Sequence, residues 1–89
     1  MLREAENVQL VVDYPVVWPD VFQQTREQFE EEAKMAMAVK LFELKRLSSG
    51  MAARLASVNR VYFLLNLHRY GVAMIDLDDD ELLQDIQNA

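Results

Sequence analysis

Met51-Ala52-Ala53-Arg54-Leu55-Ala56-Ser57-Val58-Asn59-Arg60-Val61-Tyr62-Phe63-Leu64 is the stretch whose reading decides the fold. Two short helices joined by a tight turn need small residues where they cross and apolar residues that lock them to a preceding helix. Ala53 stands where the first helix would meet the second, and Ser57, four residues on, takes the turn. Ala52, Ala56, Val58 and Phe63 fall at core-facing spacings, and Leu64 and Leu67 extend that face. The pattern predicts a helix-turn-helix over residues 48–70, with helices at Met51–Ala56 and Asn59–Tyr70. Gly71 stops the second helix.

Charge segregates around this stretch. Residues 44–75 contain no Asp or Glu but include Lys45, Arg46, Arg54, Arg60 and Arg69. Residues 1–43 hold nine acids against four bases, and residues 76–89 hold six acids and no base. The whole chain carries −6, which by itself argues against nucleic acid, but a basic block between acidic ones is the pattern that a DNA-binding face produces. Lys45, Arg46, Ser49, Arg54, Asn59, Arg60, Tyr62, Asn66 and Arg69 are the donors expected to reach phosphates and base edges. Asn59 also stands where an N-cap belongs, which alone explains its presence. Arg60 can equally be a solvated face residue. Val61 and Leu65 suit either thymine methyls or a partner chain.

Upstream, Val8-Gln9-Leu10-Val11-Val12-Asp13 alternates with period two and predicts a strand over 8–13, ended by Pro15. Helices are expected over 19–46: a short one from Pro19 to Gln24, then a long one from about Arg26 to Arg46. Thr25-Arg26-Glu27-Gln28 reads as a capping box. Phe29, Ala33, Met37, Leu41 and Leu44 form the apolar stripe of the long helix, widened by Met35, Val39 and Phe42. The methionines read as core filler. Downstream, residues 72–77 can form a second strand, and 78–89 are an acidic tail with Leu82, Leu83 and Ile86 on one side. The expectation is a single domain over 1–89: mainly α, a helix-turn-helix bundle with a long preceding helix and one or two short β-strands.

Several chemistries find no residues. The chain has no cysteine and one histidine, His68, so disulfides and thiolate metal sites are excluded and no nucleophile–base set assembles. His68, late in a helix beside Arg69, reads as a surface residue. Gly50 and Gly71 make no phosphate loop. Asp76-x-Asp78-x-Asp80 imitates the start of a calcium loop, but Glu81 replaces the required Gly and Gln87 the required Glu. We therefore expect no enzyme, cofactor or metal site. Acids at the start, where a secretory signal would be basic, and the lack of a long apolar run lead us to expect a soluble cytoplasmic protein with no membrane contact.

From Ala36 to Asp85 the chain also resembles a known family. The residues that carry the likeness are Ala38-Val39-Lys40-Leu41-Phe42-Glu43, Arg46-Leu47-Ser48, Ala52-Ala53-x-Leu55-Ala56, Arg60-x-x-Phe63-Leu64, Arg69-Tyr70-Gly71-Val72 and the acidic tail. Together they are similar to Uncharacterised Protein Family 0175, predicted antitoxins with a helix-turn-helix, often encoded beside a toxin resembling PIN-domain nucleases. The family usually has Gly where this chain has Ser57, Ser where it has Asn59, and an aromatic–acid pair where it has Val61-Tyr62. The resemblance implies an antitoxin and a toxin partner. Residue pattern alone leaves two readings: a DNA-binding protein acting on double-stranded DNA, and an interaction module of the same fold without DNA binding. A homodimer is expected on either reading, joined through its strands at Leu10 and Val12. Leu82, Leu83 and Ile86 are the expected contacts for a further partner.

Overall fold

A computed structural model describes residues 6–73. The described part is helical: α1 (Trp18–Val21), α2 (Arg26–Glu43), α3 (Ser49–Ala56), α4 (Arg60–Leu65) and a 3₁₀ turn (Leu67–Tyr70). The long helix α2 starts as its sequence predicts. The Thr25 hydroxyl accepts from the Gln28 amide at 3.1 Å, and the Gln28 side chain accepts from the Thr25 amide at 2.9 Å. Ser48 caps α3 through the Met51 amide, and Asn59 caps α4 through the Tyr62 amide.

Small residues set the packing. Ala38 on α2 and Ala52 on α3 have no exposed surface, and Ala53 and Ala56 are also buried. With no side chain beyond Cβ, α3 can lie close against α2. Phe63, Leu64 and Leu67 fill the space beneath, all fully buried, and the Phe63 ring meets Phe42 edge-on at 5.5 Å. The buried line of α2 is Met35, Ala38 and Val39, with Phe42 packed against it. It therefore follows Met35, Val39 and Phe42, the residues expected to widen the stripe, and is rotated from the stripe's expected centre. Ala33 is exposed and Leu44 is 55% exposed, while Phe29, Met37 and Leu41 are half-buried. The narrow alanine face of α3 selects which side of α2 it covers, and the apolar spacing of α2 alone does not.

Four of the helical segments stop with the same geometry. The only described residues with positive φ are Gln23, Lys45, Ser57 and Gly71. At each of them the amide bonds back three residues, and the next amide bonds back five. Gln23 bonds to Asp20 and Gln24 to Pro19; Lys45 to Phe42 and Arg46 to Leu41. Ser57 bonds to Arg54 and Val58 to Ala53; Gly71 to His68 and Val72 to Leu67. This is the left-handed stop that satisfies the last carbonyls of a helix, and three of the four are made without glycine.

These stops correct two expected boundaries. α1 ends at Val21 rather than Gln24, because Gln23 reverses the chain. α2 ends at Glu43 rather than Arg46, because Lys45 does the same and brings half-buried Leu47 against the core. The expected helix over 59–70 divides at Asn66. There the side-chain amide donates to the Tyr62 carbonyl at 2.8 Å, and the backbone tightens into a 3₁₀ turn that buries Leu67.

The strand expected over 8–13 is not formed. Residues 6–15 are irregular and exposed apart from half-buried Tyr14, and no strand exists among the described residues. A strand is defined by its partner, and this segment finds none within the described part of the chain. Of the second expected strand, Val72 and Ala73 are irregular; 74–77 and the acidic tail with Leu82, Leu83 and Ile86 lie outside the described residues.

Candidate functional site

The expected contact residues fall into two groups. Asn59, Tyr62, Asn66 and Arg69 are joined in a run along α4 and the 3₁₀ turn. Asn59 Oδ1 accepts from the Tyr62 amide at 2.7 Å, the Asn66 amide group donates to the Tyr62 carbonyl, and Arg69 Nη1 donates to Asn66 Oδ1 at 3.4 Å. Lys45, Arg46 and Arg54 stand elsewhere, at the turn after α2 and in the last turn of α3; all three are exposed. Among the described residues the ion pairs are Arg26–Glu30 and Lys40–Glu43, both on α2. Neither pair involves Lys45, Arg46, Arg54 or Arg69.

Ser49 departs from its expected role. It is 1% exposed, and its hydroxyl accepts from Arg60 Nε at 2.7 Å. The hydroxyl thus ties α4 to the start of α3 instead of facing outward, and Arg60 is half-buried by the same contact. A charged donor on a buried hydroxyl is among the stronger hydrogen bonds, so Arg60 acts first as a brace between the two short helices. Nothing in the spacing of Ser49 and Arg60, eleven residues apart, marked them as partners.

The outer side of α4 faces a groove of about 730 Å³. Tyr62, Arg69 and Tyr70 line one wall, and Gln28, Glu31 and Glu32 of α2 line the other. Lys34 Nζ donates to Ser57 Oγ at 3.3 Å across one end. Burial and then the Glu32 carboxylate push the Tyr70 phenol above its ordinary value, and Tyr62 adds to the shift while Arg69 opposes it. The groove thus brings Glu31, Glu32 and Lys34 of α2 together with Tyr62, Arg69 and Tyr70, which no local pattern in the sequence shows. His68 is exposed, and no metal-holding group of three acids or histidines occurs among the described residues. No described helix is long and apolar enough to cross a membrane.

A family model described as an uncharacterised protein family, UPF0175, matches residues 6–89. The chain belongs to this family. The match runs through the irregular N-terminal segment, all the helices and the acidic tail, so these parts form one family unit rather than a core with appendages. No curated protein and no solved structure matches the chain.

Proposed function

We propose that this UPF0175 member is a helix-turn-helix DNA-binding protein, the antitoxin and autorepressor of a toxin–antitoxin pair. The observation that carries the DNA reading is a coincidence of charge and form. The longest acid-free basic block in the chain spans the two short helices and their three-residue turn, Ser57 to Asn59. Three residues with a left-handed first position join helices in the way a helix-turn-helix requires, and α4 is then the recognition helix. Arg54, Arg69, Lys45 and Arg46 supply phosphate contacts, Asn59, Tyr62 and Asn66 approach base edges, and Arg60 holds α4 in place through Ser49. The antitoxin role and a toxin resembling PIN-domain nucleases rest on the family likeness. The apolar seam Leu82, Leu83 and Ile86 on an acidic segment is the proposed toxin contact.

The second reading, an interaction module without DNA binding, draws on the groove carboxylates opposite Tyr62 and Arg69. Glu31 and Glu32 repel a phosphate backbone brought against that side and would favour a basic or polar protein partner. A gel-shift series with DNA from upstream of the gene separates the two. On the DNA reading Arg54→Glu and Arg69→Glu weaken the shift while Glu27→Lys leaves it intact. On the interaction reading no shift forms with any of the four proteins.

A further inference from the structure

The described chain leaves most of its large apolar exposure in one place. Of the thirteen large hydrophobic residues that are exposed, nine lie between Val8 and Phe22, and Val8 is 97% and Leu10 70% exposed. Nothing local explains this. The segment precedes the first helix, and Tyr14 fastens it to α2: the Tyr14 hydroxyl donates to the Glu30 carboxylate, and its ring lies 4.9 Å from Phe29. Trp18 and Phe22 gather round the same Phe29 ring, at 6.4 and 5.9 Å, and remain about half exposed. The result is an aromatic shelf with a period-two apolar segment leading off it.

We propose that this surface is the interface with a second copy of the chain, and that residues 6–14 of the two copies pair as an antiparallel ribbon centred on Leu10. Charge and pattern select the register. Pairing Leu10 with its own copy sets Val8 against Val12, Asn7 against Asp13 and Glu6 against Tyr14. Val8, Leu10 and Val12 of both copies then share one face, because directly opposite residues lie on the same side of the ribbon. Sliding by one residue, so that Gln9 faces Leu10, sets Glu6 against Asp13 and mixes polar with apolar on both faces, which like-charge repulsion and the pleat both disfavour. In the chosen register the partner's Val8 lies beside Val12, two residues from Tyr14. The shared apolar face therefore runs onto the shelf of Tyr14, Trp18, Phe22 and Phe29.

The area suffices. Leaving out Val11, which the chosen register turns to the opposite face, eight side chains of this size expose on the order of 500 Å² of apolar surface per copy, from roughly 60–120 Å² for each fully buried one. A stable interface takes about 800 Å² per partner, and the polar residues between the valines supply the remainder. A ribbon of two strands alone is marginal, so the shelf is needed as its support. The two-fold symmetry follows from a self-complementary surface and does not depend on DNA binding.

The absence of cysteine gives a direct test of register. Sedimentation of the full chain at micromolar concentration should give twice the 10.3 kDa chain mass, and Leu10→Asp should raise the dimer dissociation constant at least ~10-fold without loss of helical signal, since Leu10 is outside the core. Residues paired at the centre of an antiparallel ribbon lie within disulfide reach, whereas Val8 and its own copy are offset by about 13 Å. Under mild oxidation Leu10→Cys should therefore cross-link, Val8→Cys alone and Val12→Cys alone should not, and an equal mixture of the last two should. A monomeric mass at 100 μM, or cross-linking of Val8→Cys alone as fast as Leu10→Cys, overturns the proposal.

Discussion

Replacing Ser57 by glycine should stabilise the protein, and the size of the effect follows from its backbone. Ser57 holds φ at +63° as the stop of α3. A side chain there costs roughly 1–2 kcal/mol through the clash of Cβ with the following carbonyl. Glycine removes that cost but loses about 0.4–1 kcal/mol through the greater freedom of the unfolded chain. The exposed bond from Lys34 to the Ser57 hydroxyl is also lost, at a few tenths at most, because it is long and solvated. The net gain is centred on about 0.5 kcal/mol, which for a chain of this size raises Tm by roughly 2–4 °C. Gly71, with φ +77° and no atom within 4 Å of an added Cβ, is the converse. Gly71→Ala should lower Tm although nothing collides with it. Thermal melts followed by far-UV circular dichroism at one fixed protein concentration measure both. A Ser57→Gly protein with unchanged or lower Tm, beside a neutral Gly71→Ala, refutes the account of the helix stops.

Three further outcomes follow. Phe63→Ala removes a fully buried ring from the contact with Phe42 and should cost about 3–5 kcal/mol, a large part of the total stability of so small a domain; urea titration at 25 °C should show the midpoint collapse, and a loss under 1 kcal/mol contradicts the core assignment. The Glu30 carboxyl is held below its ordinary value of 4.5 by hydrogen bonds from Tyr14 and Arg26, so its stabilisation of the N-terminal docking is complete above that value and is lost as pH falls through the lower folded one; Trp18, the only tryptophan, should report the release as a fluorescence change below pH 4.5 that Glu30→Gln and Tyr14→Phe abolish, and an identical titration in wild type and Glu30→Gln excludes the mechanism. Truncation after Leu77 should spare DNA binding and weaken toxin neutralisation; full neutralisation at equal dose removes the tail from the proposed partner contact.

Much of the helical layout was legible in the residues because its signals are local. The capping box at Thr25, the cap at Asn59 and the alanines at 52, 53 and 56 act within one helical turn, and each took its expected place. The helix ends were misread because left-handed stops usually show themselves as glycine, and Gln23 and Lys45 occupy theirs without it. Val8, Leu10 and Val12 alternate as a strand would, yet a strand needs a partner that the described chain does not contain. The brace between Ser49 and Arg60 and the placing of Glu31 and Glu32 opposite Tyr62 arise only when α2, α3 and α4 pack, so composition pointed to a uniformly basic face that folding makes one-sided. Ser49 was read as a contact residue because it is a polar donor within the acid-free block, and here it is buried with its hydroxyl taken by Arg60.

The slope of binding against salt tests the proposed DNA contact most directly. Each phosphate neutralised by Lys or Arg releases counterions, so log Kobs should fall linearly with log salt at about 0.9 per contact. Lys45, Arg46, Arg54 and Arg69 are the four exposed bases of the block, which gives a slope of about −4 for one copy and about −7 for two. Measured by fluorescence anisotropy on upstream DNA between about 50 and 200 mM salt, the wild-type protein should show a slope in this range. Arg54→Glu should flatten it by about 1 per copy. A slope near zero, or one that Arg54→Glu and Arg69→Glu both leave unchanged, contradicts DNA binding through this face.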